Sequence, residues 1–268
     1  MPGLIDWDLL AALDMPPTMS QPAMWDAFAD RYNGYAALQD ECSRLQVQAL
    51  GLRSQDTVLD VGAGPGRLSI PAARVARALT ALDVSRPMLD HLQRNAAAAG
   101  LCNVHTLHLP WDQVVPGETV PVHDVVIASR SPAIRDLDTL DALARRAVYV
   151  LLFCGPSLKA FHDTLVAGIE PAPPAARDAV RRPAIAGHAL VFNRLVDRGI
   201  EAQVSYLPDG FSGSFADWDE LERHFAWLRI GSEHRTRFRD NIGPYVSEEG
   251  GRLRLRLRSR TAMVWWTK

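Results

Sequence analysis

A chain of 268 residues with 47% apolar and 22% charged side chains has the composition of an ordinary globular protein, long enough to bury a core without staples. A formal net charge of −2 disfavours a dedicated nucleic-acid binder, which needs a net basic field. No apolar run approaches the ~20 residues of a membrane helix, and no basic segment precedes an apolar stretch at the N-terminus, so a cytoplasmic location without membrane insertion is expected.

The first 22 residues hold four prolines and read as an irregular arm. Residues 23–50 read as helix, with Trp25, Phe28, Tyr32 and Tyr35 on one face. From 57 to 153 short apolar runs alternate with helical stretches. Thr57–Val61, Leu79–Asp83, Val104–Leu109, Val125–Ala128 and Val148–Phe153 are expected strands, apolar nearly throughout, as strands covered on both faces should be. Leu68–Arg77, Pro87–Ala99 and Leu137–Arg146 are the expected helices between them. This repetition implies a doubly wound, mainly parallel sheet. Beyond it, helices are expected at Ser157–Ile169, Ala184–Arg198 (stopped by Gly199) and Ser214–Leu228 (capped by Ser214), with a proline break at 170–174. Gln203–Leu207 and Leu253–Trp266 complete seven strands. The fold class is therefore α/β, a Rossmann-like seven-stranded sheet with helices on both faces and an N-terminal helical cap. The division expected is an arm and cap over 1–50 and a main domain over 51–268, with helical insertions at about 155–200 and 208–250.

The strongest chemical signal is Asp60-Val61-Gly62-Ala63-Gly64-Pro65-Gly66-Arg67, a buried strand running into three glycines and then a helix. Glycines permit a tight turn and close approach of a ligand to the backbone, and the following helix start offers free N–H groups. Asp83 ends the next strand, where an acid ~20 residues beyond such a turn can accept hydrogen bonds from ribose hydroxyls. The dinucleotide fingerprint is Gly-x-Gly-x-x-Gly. Here the third glycine comes one residue early, and Arg67 stands where that fingerprint wants a small residue.

Over about residues 23–155 the chain resembles the class I, S-adenosylmethionine-dependent methyltransferases, whose first motif is acid-x-Gly-x-Gly-x-Gly. Asp60, Gly62, Gly64 and Gly66 match that motif, and Asp83 matches the ribose-binding acid. The run Leu82–Leu89 looks like the small-molecule and quinone-biosynthesis branches. The resemblance implies S-adenosylmethionine as cofactor and S-adenosylhomocysteine as product. It implies Gly62, Ala63 and Gly64 beside the methionine portion with Asp60 helping to hold it, Val84 and Met88 beside the adenine, Trp111 and Asp112 at the adenine edge, and Ser129 and Arg130 near the methyl group's exit. It also implies that Trp25 and Tyr32 line an acceptor pocket; the plainer alternative is a helix packed on the sheet.

Residues 252–260 alternate five arginines with three leucines and Ser259. Period two sends the arginines to one face. An anion patch for an acidic substrate or RNA is one reading; an outer strand whose charges discourage edge-to-edge pairing is the other. His105, His108, His162 and His188 have no spacing that ties them to a partner, and no catalytic residue is assigned. No metal-ligand cluster is visible. Cys42, Cys102 and Cys154 are expected as reduced, buried thiols. The expected function is methyl transfer to a small-molecule acceptor. The alternatives are an RNA or protein methyltransferase using the Arg252–Arg260 face, and an NAD-dependent or non-catalytic nucleotide-binding protein. Acceptor identity and oligomeric state are not legible.

Overall fold

The computed structural model describes Asp6, residues 22–169 and residues 187–268. The expected arm (Asp6 and Pro22 apart) and the proline break at 170–174 lie outside them. Two helices, α1 (Pro22–Ala37) and α2 (Asp40–Gln48), precede the sheet. Then come β1 (Thr57–Val61), α3 (Ser69–Ala73), β2 (Ala78–Asp83), α4 (Arg86–Ala98), β3 (Val104–His108), β4 (His123–Ser129), α5 (Leu137–Ala142) and β5 (Ala144–Phe153). The remaining elements are α6 (Leu158–Leu165), α7 (Gly187–Asp197), β6 (Gln203–Phe215), α8 (Trp218–His224), α9 (Arg235–Ile242), β7 (Val246–Glu249) and β8 (Arg252–Thr267).

Local chemistry sets several helix starts. Ser85 caps α4 by accepting from Met88 N, Asp136 caps α5 by accepting from Thr139 N, and Ser157 caps α6 by accepting from Ala160 N. Ser214 does not cap a helix. It lies inside β6, and Asp217 caps α8 instead, accepting from Glu220 N.

The strands run β3-β2-β1-β4-β5-β8-β6, with β7 also paired to β8. The sheet is thus eight-stranded rather than seven, because the four residues of β7 add a short extra strand that carries too little pattern to read. Pairs from β3 through β5 are parallel, and β8 is antiparallel to each of its neighbours. This is a Rossmann-like sheet. Strand order reverses between β1 and β4, which opens a crevice at the carboxyl edge where such folds take ligands.

One core lies under α5 and α7, where Leu137, Leu140, Val191 and Leu195 meet Val126 and Val148. A second lies under α2, α3 and α4, where Val47, Leu68 and Leu92 meet Val58, Leu79 and Ile127. A third is separate from the sheet centre. It joins Tyr35 and Leu38 to Phe161, Phe211, Phe225 and Leu255. It exists because β6 and β8 pair as far as Phe215↔Leu253, whereas β5 ends at Phe153 opposite Thr261. The overhanging ribbon carries the cap.

The arginine strand is therefore not an outer strand. β8 is paired by β6 from Leu253 to Trp265, and on its other flank by β7 over Arg252–Leu255 and by β5 over Thr261–Thr267, so it lies inside the sheet order, with Arg256–Arg260 paired to β6 alone. The period-two alternation itself is present: Leu255, Leu257 and Ser259 are buried, and Arg252, Arg256, Arg258 and Arg260 are exposed. The three cysteines are free, but none is fully buried: Cys102 is exposed, and Cys42 and Cys154 are half-buried.

Candidate cofactor and acceptor site

The turn after β1 folds over the end of β2. Gly62 N and Ala63 N donate to Leu82 O at 2.8 and 3.1 Å, and Gly66 N donates to Ala63 O. Gly62 has φ +73° and Gly64 φ +55°, backbone that side chains resist. A Cβ at Gly62 would lie 2.6 Å from Ser131 Oγ; one at Gly64 would face the Tyr32 ring at 3.5 Å. That contact is an ordinary one, so it is the positive φ of Gly64, more than the space beneath Tyr32, that calls for glycine.

A cavity of about 570 Å³ opens at this edge, within the usual size of small-ligand sites. Gly62 and Gly64, then Asp83 and Val84, then Met88 of α4 form one wall. The loop after β3 contributes Trp111 and Asp112, and the loop after β4 contributes Ser129 and Arg130. Helix α1 closes the cavity with Trp25 and Tyr32, whose rings meet edge-on at 6.2 Å. The aromatic stripe of α1 is therefore split. Trp25 and Tyr32 line the cavity, while Tyr35 is buried in the cap core and Phe28 packs against it.

Asp60, Ala63 and Gly66 do not line the cavity. A Cβ at Gly66 would crowd Leu92 and Ile70, so this glycine serves the packing of α4 on the turn. Asp60 lies behind the turn, 2% exposed, and accepts from Ser69 Oγ at 2.6 Å. Burial pushes its carboxyl up to about 6, against the Ser69 bond and the charge of Arg67.

Asp83 Oδ2 accepts from Gly64 N at 2.8 Å and Oδ1 accepts from Ser85 N at 2.9 Å. Burial raises its pKa, and these backbone bonds oppose the rise. A carboxylate has about four acceptor sites, so lone pairs remain for hydroxyls in the cavity. Trp111 is both core and wall: it packs on the core beneath α5, and its Nε1 donates to Asp136 Oδ2 at 3.3 Å.

A buried polar network backs the cavity beside Ser129 and Arg130. Arg67, which the sequence marks only as misplaced for a dinucleotide site, donates to Gln46 Oε1 at 2.7 Å and to Ser129 Oγ at 2.6 Å. Burial lowers its pKa to about 10. Arg130 donates to Gln39 Oε1 at 3.0 Å and to Asp209 Oδ2, and stacks on Phe153 at 3.5 Å. Asp209 also accepts from Gln39 Nε2 and Thr261 Oγ1. Burial alone would raise the Asp209 pKa; the charges of Arg130 and Arg67 override it and hold the carboxyl below its usual value.

The histidines weighed from sequence stand elsewhere. His162 bonds Tyr35 OH, His188 bonds Tyr206 OH, and His108 bonds Val84 O. Sequence reasoning missed Ser131, Pro132, Arg135 and Asp136, which also line the cavity. Their signal was positional: they follow a strand end at the carboxyl edge of a parallel sheet.

Residues 58–152 match the family profile described as a methyltransferase domain. An uncharacterized protein of Haemophilus influenzae is 30% identical over 164 residues, 60% of this chain and 57% of that protein. A malonyl-[acyl-carrier protein] O-methyltransferase of Pseudescherichia vulneris is 40% identical over 70 residues, 26% of this chain and 28% of that enzyme. The chain thus spans little more than half the length of the first relative and less of the second. Among solved structures, a precorrin-6y C5,15-methyltransferase of Geobacter metallireducens aligns with a TM-score of 0.49 at 12% identity, covering 84% of this chain and 87% of its own. The Gly62–Gly66 turn and Asp83 both lie inside the span that matches the methyltransferase-domain profile, so the site described above falls within that match.

Proposed function

We propose that the whole protein is a cytoplasmic methyltransferase that binds S-adenosylmethionine in the carboxyl-edge cavity and methylates a small-molecule acceptor. The observation that carries this reading is the convergence of Gly62, Gly64, Asp83, Met88, Trp111 and Ser129 on one cavity closed by α1. The glycine backbone and Asp83 suit an adenosine with a ribose diol, and Asp60 supports the turn from behind. S-adenosylmethionine supplies an electrophilic methyl group on a sulfonium. The protein's own part is to align the acceptor and exclude water, which Trp25, Tyr32 and the loop after β4 are placed to do. Residues 1–50 act as cap and 51–268 as the main domain in this reading. A cavity of about 570 Å³, the size of small-ligand sites, favours a small acceptor over the RNA or protein alternative.

The test is incubation with methyl-labelled S-adenosylmethionine and a fractionated cell extract. Label in a low-mass product supports the reading. Label confined to RNA or protein, and lost when Arg256 and Arg258 are replaced by serine, would instead support a macromolecular acceptor on the arginine face.

A further inference from the structure

Two arginines, Arg130 and Arg135, line the cavity, as do the rings of Trp25 and Tyr32. Arg130 has φ +55°, a backbone conformation that side chains other than glycine adopt only when their surroundings enforce it. The enforcement is visible. Its guanidinium lies flat on Phe153, its edge is held by Gln39 and by the fully buried Asp209, and its side chain is 10% exposed. A guanidinium has five N–H donors. One on Nη1 goes to Gln39 and one on Nη2 goes to Asp209. Nε is enclosed without a partner among the described residues. Each terminal nitrogen keeps one N–H that neither Gln39 nor Asp209 takes, on a cation that lines the cavity. A guanidinium fixed in this way offers a pre-positioned charged donor to an anionic group such as a carboxylate.

Resting on the methyltransferase reading, we infer that the acceptor carries a carboxylate that binds Arg130, and that Asp209 is the residue positioning the guanidinium for it. The apolar body of the acceptor lies against Trp25 and Tyr32. Asp209 comes from β6, Gln39 from the turn between α1 and α2, and Phe153 from the end of β5. The cap ribbon and the sheet therefore jointly fix one side chain at the mouth of the donor site.

The methionine portion of the methyl donor also carries a carboxylate, so the experiment must separate the two. Calorimetric titration with S-adenosylhomocysteine establishes the donor site in each protein; failure to bind in the wild type overturns the methyltransferase reading itself. Phenylacetate and its uncharged counterpart phenylacetamide are then titrated into the protein saturated with S-adenosylhomocysteine, by ligand-observed NMR. The expected result is phenylacetate binding at least tenfold tighter than phenylacetamide. That preference is lost in Arg130→Gln and weakened in Asp209→Asn, while S-adenosylhomocysteine affinity stays within threefold in both. Equal binding of the two probes, or no binding of phenylacetate, overturns the inference. A tenfold loss of S-adenosylhomocysteine in Arg130→Gln, with 5′-methylthioadenosine binding unchanged, assigns Arg130 to the donor's carboxylate and overturns it as well. Equal loss of both ligands in Asp209→Asn removes its positioning role.

Discussion

Asp60→Asn should reverse part of the pH dependence of folding stability. The Asp60 carboxyl is 2% exposed, and burial lifts its pKa from 3.8 to about 6. The folded protein therefore holds this proton more tightly than the unfolded chain does. Stability from the group is fully present below pH 3.8 and is lost as the pH rises through about 6. At 1.36 kcal/mol per pKa unit, the full loss is about 3 kcal/mol. The same linkage gives about 2 kcal/mol of it between about pH 4.5 and pH 7.5. Asparagine keeps an acceptor for Ser69 Oγ but does not titrate, and any constant cost of its amide cancels in a difference. Urea unfolding of both proteins across this range gives wild-type minus variant stability, which should fall by about 2 kcal/mol toward high pH. A flat difference, or one that rises with pH, would refute the reasoning.

Further predictions follow from the same geometry. Arg67→Met removes a charge that holds the Asp60 pKa down, so the Asp60 carboxyl resonance in carbon NMR should titrate above about 6; an unchanged midpoint would show that Arg67 does not act on it. Gly62→Ala meets both a left-handed backbone and Ser131 Oγ at 2.6 Å, whereas Gly100→Ala meets only the backbone, φ +69° with open space around it. Gly62→Ala should therefore cost at least about 1 kcal/mol more in urea unfolding, the low end for overpacking. Leu255→Ala, on the buried face of β8, should cost about 2–5 kcal/mol. Arg258→Ser, on its exposed face, should stay within about 0.5 kcal/mol; similar losses at both positions would contradict the assignment of faces.

What the sequence shows most clearly is what is local. The glycine turn and Asp83 could be paired by spacing alone, and the bond from Gly64 N to Asp83 spans only 19 positions. The bond from Arg130 to Asp209 spans 79 positions and that from Arg67 to Ser129 spans 62, so neither partner announces the other. The strand expected at Gln203–Leu207 runs on to Phe215, through Pro208-Asp209-Gly210, residue types that favour turns. Pairing with β8 overrides that preference. Gly210 adopts φ +142° and sits where a Cβ would lie 2.1 Å from Leu257 O, so the glycine serves close strand approach and not a turn. Ala144–Arg146 falls in the expected helix Leu137–Arg146; parallel pairing with β4 makes it the start of β5 instead. Trp25 and Tyr32 share a stripe with Phe28 and Tyr35, and periodicity cannot say which rings meet a cavity and which meet a core.

The most direct measurement is calorimetric titration of the purified protein with S-adenosylhomocysteine, with NADH as comparator and Asp83→Ala as control. A methyl-donor site at this turn predicts micromolar binding of S-adenosylhomocysteine, at least tenfold weaker in Asp83→Ala, and none of NADH. Absence of S-adenosylhomocysteine binding, or tighter binding of NADH, would contradict it and leave the glycine turn as a dinucleotide or purely structural feature.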